Sequence, residues 1–231
     1  MILFYFTYSV KVAAAVLAVM LARQHRDHRP VAAFMVLNTI ADLGRTALAW
    51  LVFEPTRATV RAAGLDPAVV PFEGWTRAAF VLENALWLTW PAGLAALCLW
   101  AFTGRSRLPV VAVFWAVAVA ALAIVYPRNE TLGRAYTGLL YAALAVCLAA
   151  AIPWLARLKL LDRRRLPAES APTITIPQLC AAVILAAELS LIIVGPNRWG
   201  IFKAWPLAQV VYSVLYVSLI VLHLGAMSRA R

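Results

Sequence analysis

Five side chains with formal charge fall inside apolar runs long enough to cross a bilayer: Lys11, Asp42, Arg45, Glu83 and Glu188. An acid or base at the centre of a membrane helix costs about 2.5–3.5 kcal/mol on insertion scales, so such groups face a bundle interior or an aqueous cavity and find partners there. Two bases against three acids leave that interior with a formal charge of −1, a sign that suits cations. The chemistry open to this set is to bind and pass on a proton, a small cation or a small cationic solute. The competing role is structural, with the same charges sealed in mutual pairs that fix how the helices register.

Spacing sorts the residues into faces. Asn38, Asp42 and Arg45 follow i, i+4, i+7 and share one side of a helix. Lys11 and Asp42 each lie near the middle of their runs. Lys11 is too deep to reach an interface along its own stem, so the two are expected to pair. Glu83 and Glu188 sit at similar depth from the outer ends of their runs, which groups them with Arg45. If the two carboxylates were close, they would hold one proton between them. Glu83, Trp87 and Trp90 repeat at i, i+4, i+7, an acid beside two aromatic faces that would hold an organic cation. Trp at this spacing also serves as plain packing. Asn84 adds an amide next to Glu83, and Pro91 is expected to kink the run and free a carbonyl near Trp87. In the last run Gln209, Tyr212, Tyr216 and His223 lie near one face, with Ser213 adjacent; His223 is expected at headgroup level. The candidate binding set is therefore Lys11, Asn38, Asp42, Arg45, Glu83, Asn84, Trp87, Trp90, Glu188, Tyr212 and Tyr216.

The elements that must position these residues are membrane helices. The chain has 231 residues, is 64% hydrophobic and has a mean hydropathy of +0.83; soluble domains are about 45–50% apolar. At about 20 residues per helical span, plus a connection for each, the length leaves room for about seven spans in one domain over residues 1–231. The runs lie at Ile2–Leu21, Val31–Phe53, Arg77–Phe102, Leu108–Tyr126, Arg134–Leu155, Thr173–Val194 and Leu207–Met227. The expected fold is an all-α integral membrane protein, a single bundle of about seven transmembrane helices. No positive residue precedes the first run and several follow it, so it reads as an uncleaved span with its N-terminus outside. That topology places 12 Arg and Lys residues in the inner connections and tail against seven on the outer side, which supports N-out and C-in. The connection 54–76 is the longest outer one. Pro55 and Gly64 bracket a short helix there that either packs on the rim or acts as a lid. The fourth run has no charged or amide side chain and is expected to face lipid.

Several classes are excluded. The net charge of +11 is divided among loop clusters, a topology signal rather than a nucleic-acid surface. Cys98, Cys147 and Cys180 lie in apolar runs, form no CxxC and read as small buried hydrophobes. His25, His28 and His223 are too few and too scattered in sequence for a haem or dimetal bundle, so no metal is expected and no cofactor is assigned. The chain has no HExxH, no GxSxG and no aspartate cluster for phosphoryl transfer, which argues against an enzyme. The stretch Trp87-Leu88-Thr89-Trp90-Pro91 is similar to the third helix of microbial rhodopsins in its Trp and Pro. The retinal lysine that resemblance implies is missing from the seventh run, since the lysines are Lys11, Lys159 and Lys203.

The expected function is that of a small transporter or channel-like permease in the plasma (inner) membrane. The alternative is a seven-helix receptor or scaffold whose basic inner loops, Arg163, Arg164 and Arg165 above all, engage anionic lipid or a cytoplasmic protein. The bilayer and a small solute or ion are the expected partners, and either reading is compatible with an oligomer.

Overall fold

The computed structural model describes residues 2–66, 73–105, 108–125, 129–163, 174–194 and 205–229, and these residues form helices without a strand. Helix α1 (Ile2–Gln24) is followed by a 3-10 turn (Arg26–His28), α2 (Arg29–Leu48), a π-helical turn (Ala49–Phe53) and α3 (Glu54–Ala62). Then come α4 (Gly74–Thr103), α5 (Leu108–Val125), α6 (Asn129–Arg163), α7 (Ile176–Val194) and α8 (Trp205–Arg229). Among the described residues, five stretches are long and apolar enough to cross a membrane: Tyr5–Gln24, Arg26–Ala62, Gly74–Thr103, Gly138–Leu158 and Ala208–Arg229. Two shorter apolar stretches, Leu108–Ala121 and Ile176–Leu191, lie in α5 and α7.

Local chemistry sets the helix ends. Pro30 opens α2 at a position where a missing N–H costs nothing. Glu73 and Thr76 form a capping box at the start of α4, with the Glu73 amide 3.1 Å from the Thr76 hydroxyl. Gly104 ends α4 in the left-handed region at φ 69° and donates its N–H to the Trp100 carbonyl at 2.9 Å. The segment after α2 departs from the sequence reading in one respect: α3 is a continuation of α2 rather than a separate surface helix. Pro55 has no N–H for the carbonyl of Leu51, and the chain passes through the π turn just there. Gly64, at φ 75°, then ends the helix as expected. Residues 67–72, where a lid would continue, lie outside the described residues.

Hydrogen bonds between helices fix their directions. Tyr8 meets Thr46 at 3.1 Å while Lys11 meets the Asn38 carbonyl at 3.2 Å, so α1 and α2 are antiparallel. Thr89 reaches Asn38 at 3.4 Å, and Gly93 faces Phe34, which makes α4 antiparallel to α2. Trp90 reaches Glu188, and Gln178 reaches the Ala101 carbonyl at 3.2 Å, so α7 is antiparallel to α4. Thr7 bonds Ser213 at 2.8 Å and Leu21 shares a pocket with Ala226, so α1 and α8 run parallel.

Among the described helices, α1, α2, α4, α7 and α8 pack in a ring: α1 against α2 and α8, α4 against α2 and α7, and α7 against α8. Helices α5 and α6 lie on α4. Helix α5 turns Val110, Val113 and Val117 outward, the exposed apolar face expected of the fourth run.

Candidate functional site

The ring encloses a cavity of about 500 Å³ that is open rather than sealed. Ten of the eleven residues singled out from the sequence line it: Lys11, Asn38, Asp42, Arg45, Glu83, Trp87, Trp90, Glu188, Tyr212 and Tyr216. Asn84 does not line it. It is buried, and its Nδ2 donates to the Phe80 carbonyl one turn back at 2.6 Å.

Asp42 is the centre of one charge group. Its Oδ2 receives the ammonium of Lys11, and its Oδ1 lies 3.3 Å from the Arg45 guanidinium one turn on. Lys11 is 3% exposed, so the partnership is what makes its depth tolerable. It also donates to the Asn38 carbonyl, and its Nζ lies 5.7 Å from the centre of the Trp90 ring and 5.6 Å from that of Tyr216. Arg45 spreads over Trp87, 4.3 Å from the ring centre. Cation–π contacts of this kind gain strength where water is excluded.

Glu188 forms the second group and is placed differently. It is 3% exposed, and its Oε1 accepts the indole N–H of Trp90 at 2.8 Å and the hydroxyl of Tyr212 at 3.1 Å. Among the described residues no lysine or arginine forms an ion pair with it. Trp90 is the hinge between the groups, since its ring faces Lys11 while its N–H holds Glu188. Tyr212 lies edge-on to Trp90 with centroids 6.0 Å apart and stacks on Tyr216 at 6.3 Å. Glu83 lines the cavity without an ion pair among the described residues, within coulombic range of Arg45 and Arg57. Arg45, Glu83 and Glu188, expected as one cluster, line the same cavity. Arg45 spends its close contact on Asp42.

Thr7, Tyr8, Thr46 and Thr89 also line the cavity, beyond the residues expected from the sequence. Thr46 donates to the Asp42 carbonyl at 2.9 Å, so the 3.1 Å bond with Tyr8 uses the phenol hydrogen. The available signal was spacing. Thr46 extends the Asn38, Asp42, Arg45 face by one position, and Tyr8 precedes Lys11 by one turn. From the polar stripe of the last run, Gln209 also lines the cavity, whereas Ser213 bonds Thr7.

Beyond the cavity, along every helix of the ring, the interior is apolar and closed. Ala18, Met35, Leu94, Ile184 and Leu219 are at most 1% exposed. His223 lies past this layer and is buried within the bundle, 0% exposed, with Nε2 2.8 Å from Nε2 of His28. Arg164 and Arg165, on which the alternative of inner-loop docking rests, lie outside the described residues.

Comparison of the chain with protein-family models, curated proteins and solved structures finds no match.

Proposed function

We propose that the protein is a small membrane permease for a proton or a small cationic solute, with Glu188 as the counter-charge in the binding cavity. The observation that carries this reading is the contrast between the acids. Asp42 is satisfied by Lys11 and Arg45, whereas Glu188 is buried, faces a cavity large enough for a small ligand, and is held by two neutral donors. A carboxylate kept in an apolar bundle without a base is costly, and an arriving cation supplies the missing charge. Trp90, Tyr212 and Tyr216 provide aromatic faces for an ammonium group. Lys11 already occupies the Trp90 and Tyr216 faces, so an entering cation competes with it and biases it toward Asp42.

The rest of the assignment follows from topology. Seven crossings with the N-terminus outside and the C-terminus inside, in a plasma (inner) membrane, put the cavity in the outer half and the apolar layer beneath it. The described conformation is then outward-open, and transport requires the ring helices to part at Met35, Leu94 and Leu219, an alternating-access step about a fixed site. The test is uptake into proteoliposomes, with an internal pH dye for protons and radiolabelled methylammonium for an organic cation. Glu188→Gln and Glu83→Gln are expected to abolish uptake, and unchanged rates in both would remove the assignment.

A further inference from the structure

At the end of the bundle opposite the cavity, three potential ligands from three elements converge. His28 closes the 3-10 turn before α2, Cys180 lies on α7 and His223 on α8. They are 1%, 0% and 0% exposed, and one ligand atom from each lies within 4.8 Å of the others. The two imidazoles meet through their Nε2 atoms at 2.8 Å, with rings nearly perpendicular at 83°.

The hydrogen bookkeeping of this pair is incomplete without a further group. Nδ1 of His223 is against the Leu219 carbonyl, so that nitrogen carries the ring hydrogen and Nε2 presents a lone pair. The hydrogen between the rings must then come from His28, which leaves its Nδ1 a bare acceptor, buried and without a hydrogen-bond partner among the described residues. An imidazole N–H fixed on a backbone carbonyl, with the other nitrogen aimed inward, is the usual outer support of a metal-binding histidine.

We propose that His28, Cys180 and His223 bind a thiophilic d10 cation, Zn²⁺ in the first instance, that ties the start of α2 to α7 and α8. Two imidazoles and a thiolate suit zinc and copper(I), while calcium and magnesium need the oxygen ligands this cluster lacks. Tetrahedral bonds of about 2.0–2.1 Å to nitrogen and 2.3 Å to sulfur put ligand atoms about 3.3–3.6 Å apart. The observed spacings of up to 4.8 Å close to that range by side-chain rotation. On binding, the Cys180 thiol gives its proton to water and the His28 ring turns so that its bare Nδ1 and the Nε2 lone pair of His223 reach the metal, the His28 hydrogen staying on Nε2. A water completes the fourth position. The entry route is a pocket that His28 lines together with His25, Asp27 and Arg229, in which the Asp27 carboxylate offsets the guanidinium. This site is separated from the transport cavity by the apolar layer and stands independently of the proposed function.

The test uses the full chain in detergent, stripped with a chelator, incubated with ZnCl₂ and desalted. Wild type is expected to retain about one zinc per chain, Cys180→Ser and His28→Gln less than a tenth of that, and Cys98→Ser the wild-type amount. Cobalt(II) added to stripped wild type is expected to give a thiolate charge-transfer band in the near ultraviolet, a readout that needs no variant. Absence of stoichiometric zinc in the wild type, zinc retained equally by Cys180→Ser, or a cobalt spectrum without the thiolate band would each overturn the site.

Discussion

Trp90 touches both charge groups of the cavity, since its ring meets Lys11 and its N–H meets Glu188. Trp90→Phe keeps most of the ring and removes the donor. A hydrogen bond to a charged group is worth about 1.5–3 kcal/mol, so the variant is expected to lower apparent substrate affinity by about tenfold or more. Concentration-dependent uptake in proteoliposomes checks this, and the same half-saturation as wild type would remove Trp90 from the site. At this scale much was legible in sequence. Charges are costly in an apolar run, so the equal depth of Lys11 and Asp42 is enough to match them from sequence. The hydroxyls of Thr7 and Thr46 were masked, because a Thr in a helix is equally well satisfied by its own backbone, and Tyr8 because a Tyr near a helix end serves equally as an interface residue. The meeting of His28 with His223 was also hidden: the two are separated by 195 positions, and only the parallel packing of α1 and α8 brings them together.

At the scale of elements, the α2–α4 contact decides whether the cavity keeps its shape. Gly93 makes this approach possible. A Cβ there would lie 3.0 Å from Cδ2 of Phe34 and 3.4 Å from Nδ2 of Asn38, and Phe34 in turn packs against Trp90 with centroids 5.2 Å apart. Overpacking of this kind costs about 1–3 kcal/mol. Gly93→Leu is expected to lower the thermal unfolding midpoint and, by pushing Phe34 into Trp90, to weaken transport as well. Unfolding followed by size-exclusion fluorescence measures the first effect, and a midpoint equal to wild type would show that α2 and α4 do not approach this closely. The limits of α1, α4, α5, α7 and α8 lie within about three residues of the apolar runs, whereas α6 continues to Arg163, well past the end of its run at Leu155. The π turn at Ala49–Phe53 was not legible, since the sequence offers Pro55 but not the way the chain absorbs it.

For the whole molecule, alternating helix directions require α1 and α8 to begin on the same side, as the Thr7–Ser213 bond shows they do. Which side faces outward rests on charge. Single cysteines introduced into a background lacking Cys98, Cys147 and Cys180 report it. Arg61→Cys on α3 is expected to react with a membrane-impermeant maleimide in intact cells, and Arg23→Cys at the end of α1 only after permeabilisation. The reverse pattern would invert the topology and turn the cavity inward. The apolar layer at Met35, Leu94 and Leu219 separates the two polar ends, so cavity and histidine cluster lie on opposite sides of one barrier.

The most direct measurement is the charge displaced when substrate enters the cavity. Wild-type and Glu188→Gln proteoliposomes adsorbed on a solid-supported membrane are exposed to a rapid jump in methylammonium or in acidity. Wild type is expected to give an inward positive transient for at least one of the two. Glu188→Gln, which keeps the side-chain volume and an acceptor for Trp90 and Tyr212, is expected to give none while unfolding at a similar temperature. A transient of equal size in the variant would contradict the role assigned to Glu188, and no transient in the wild type would contradict cation binding in the cavity.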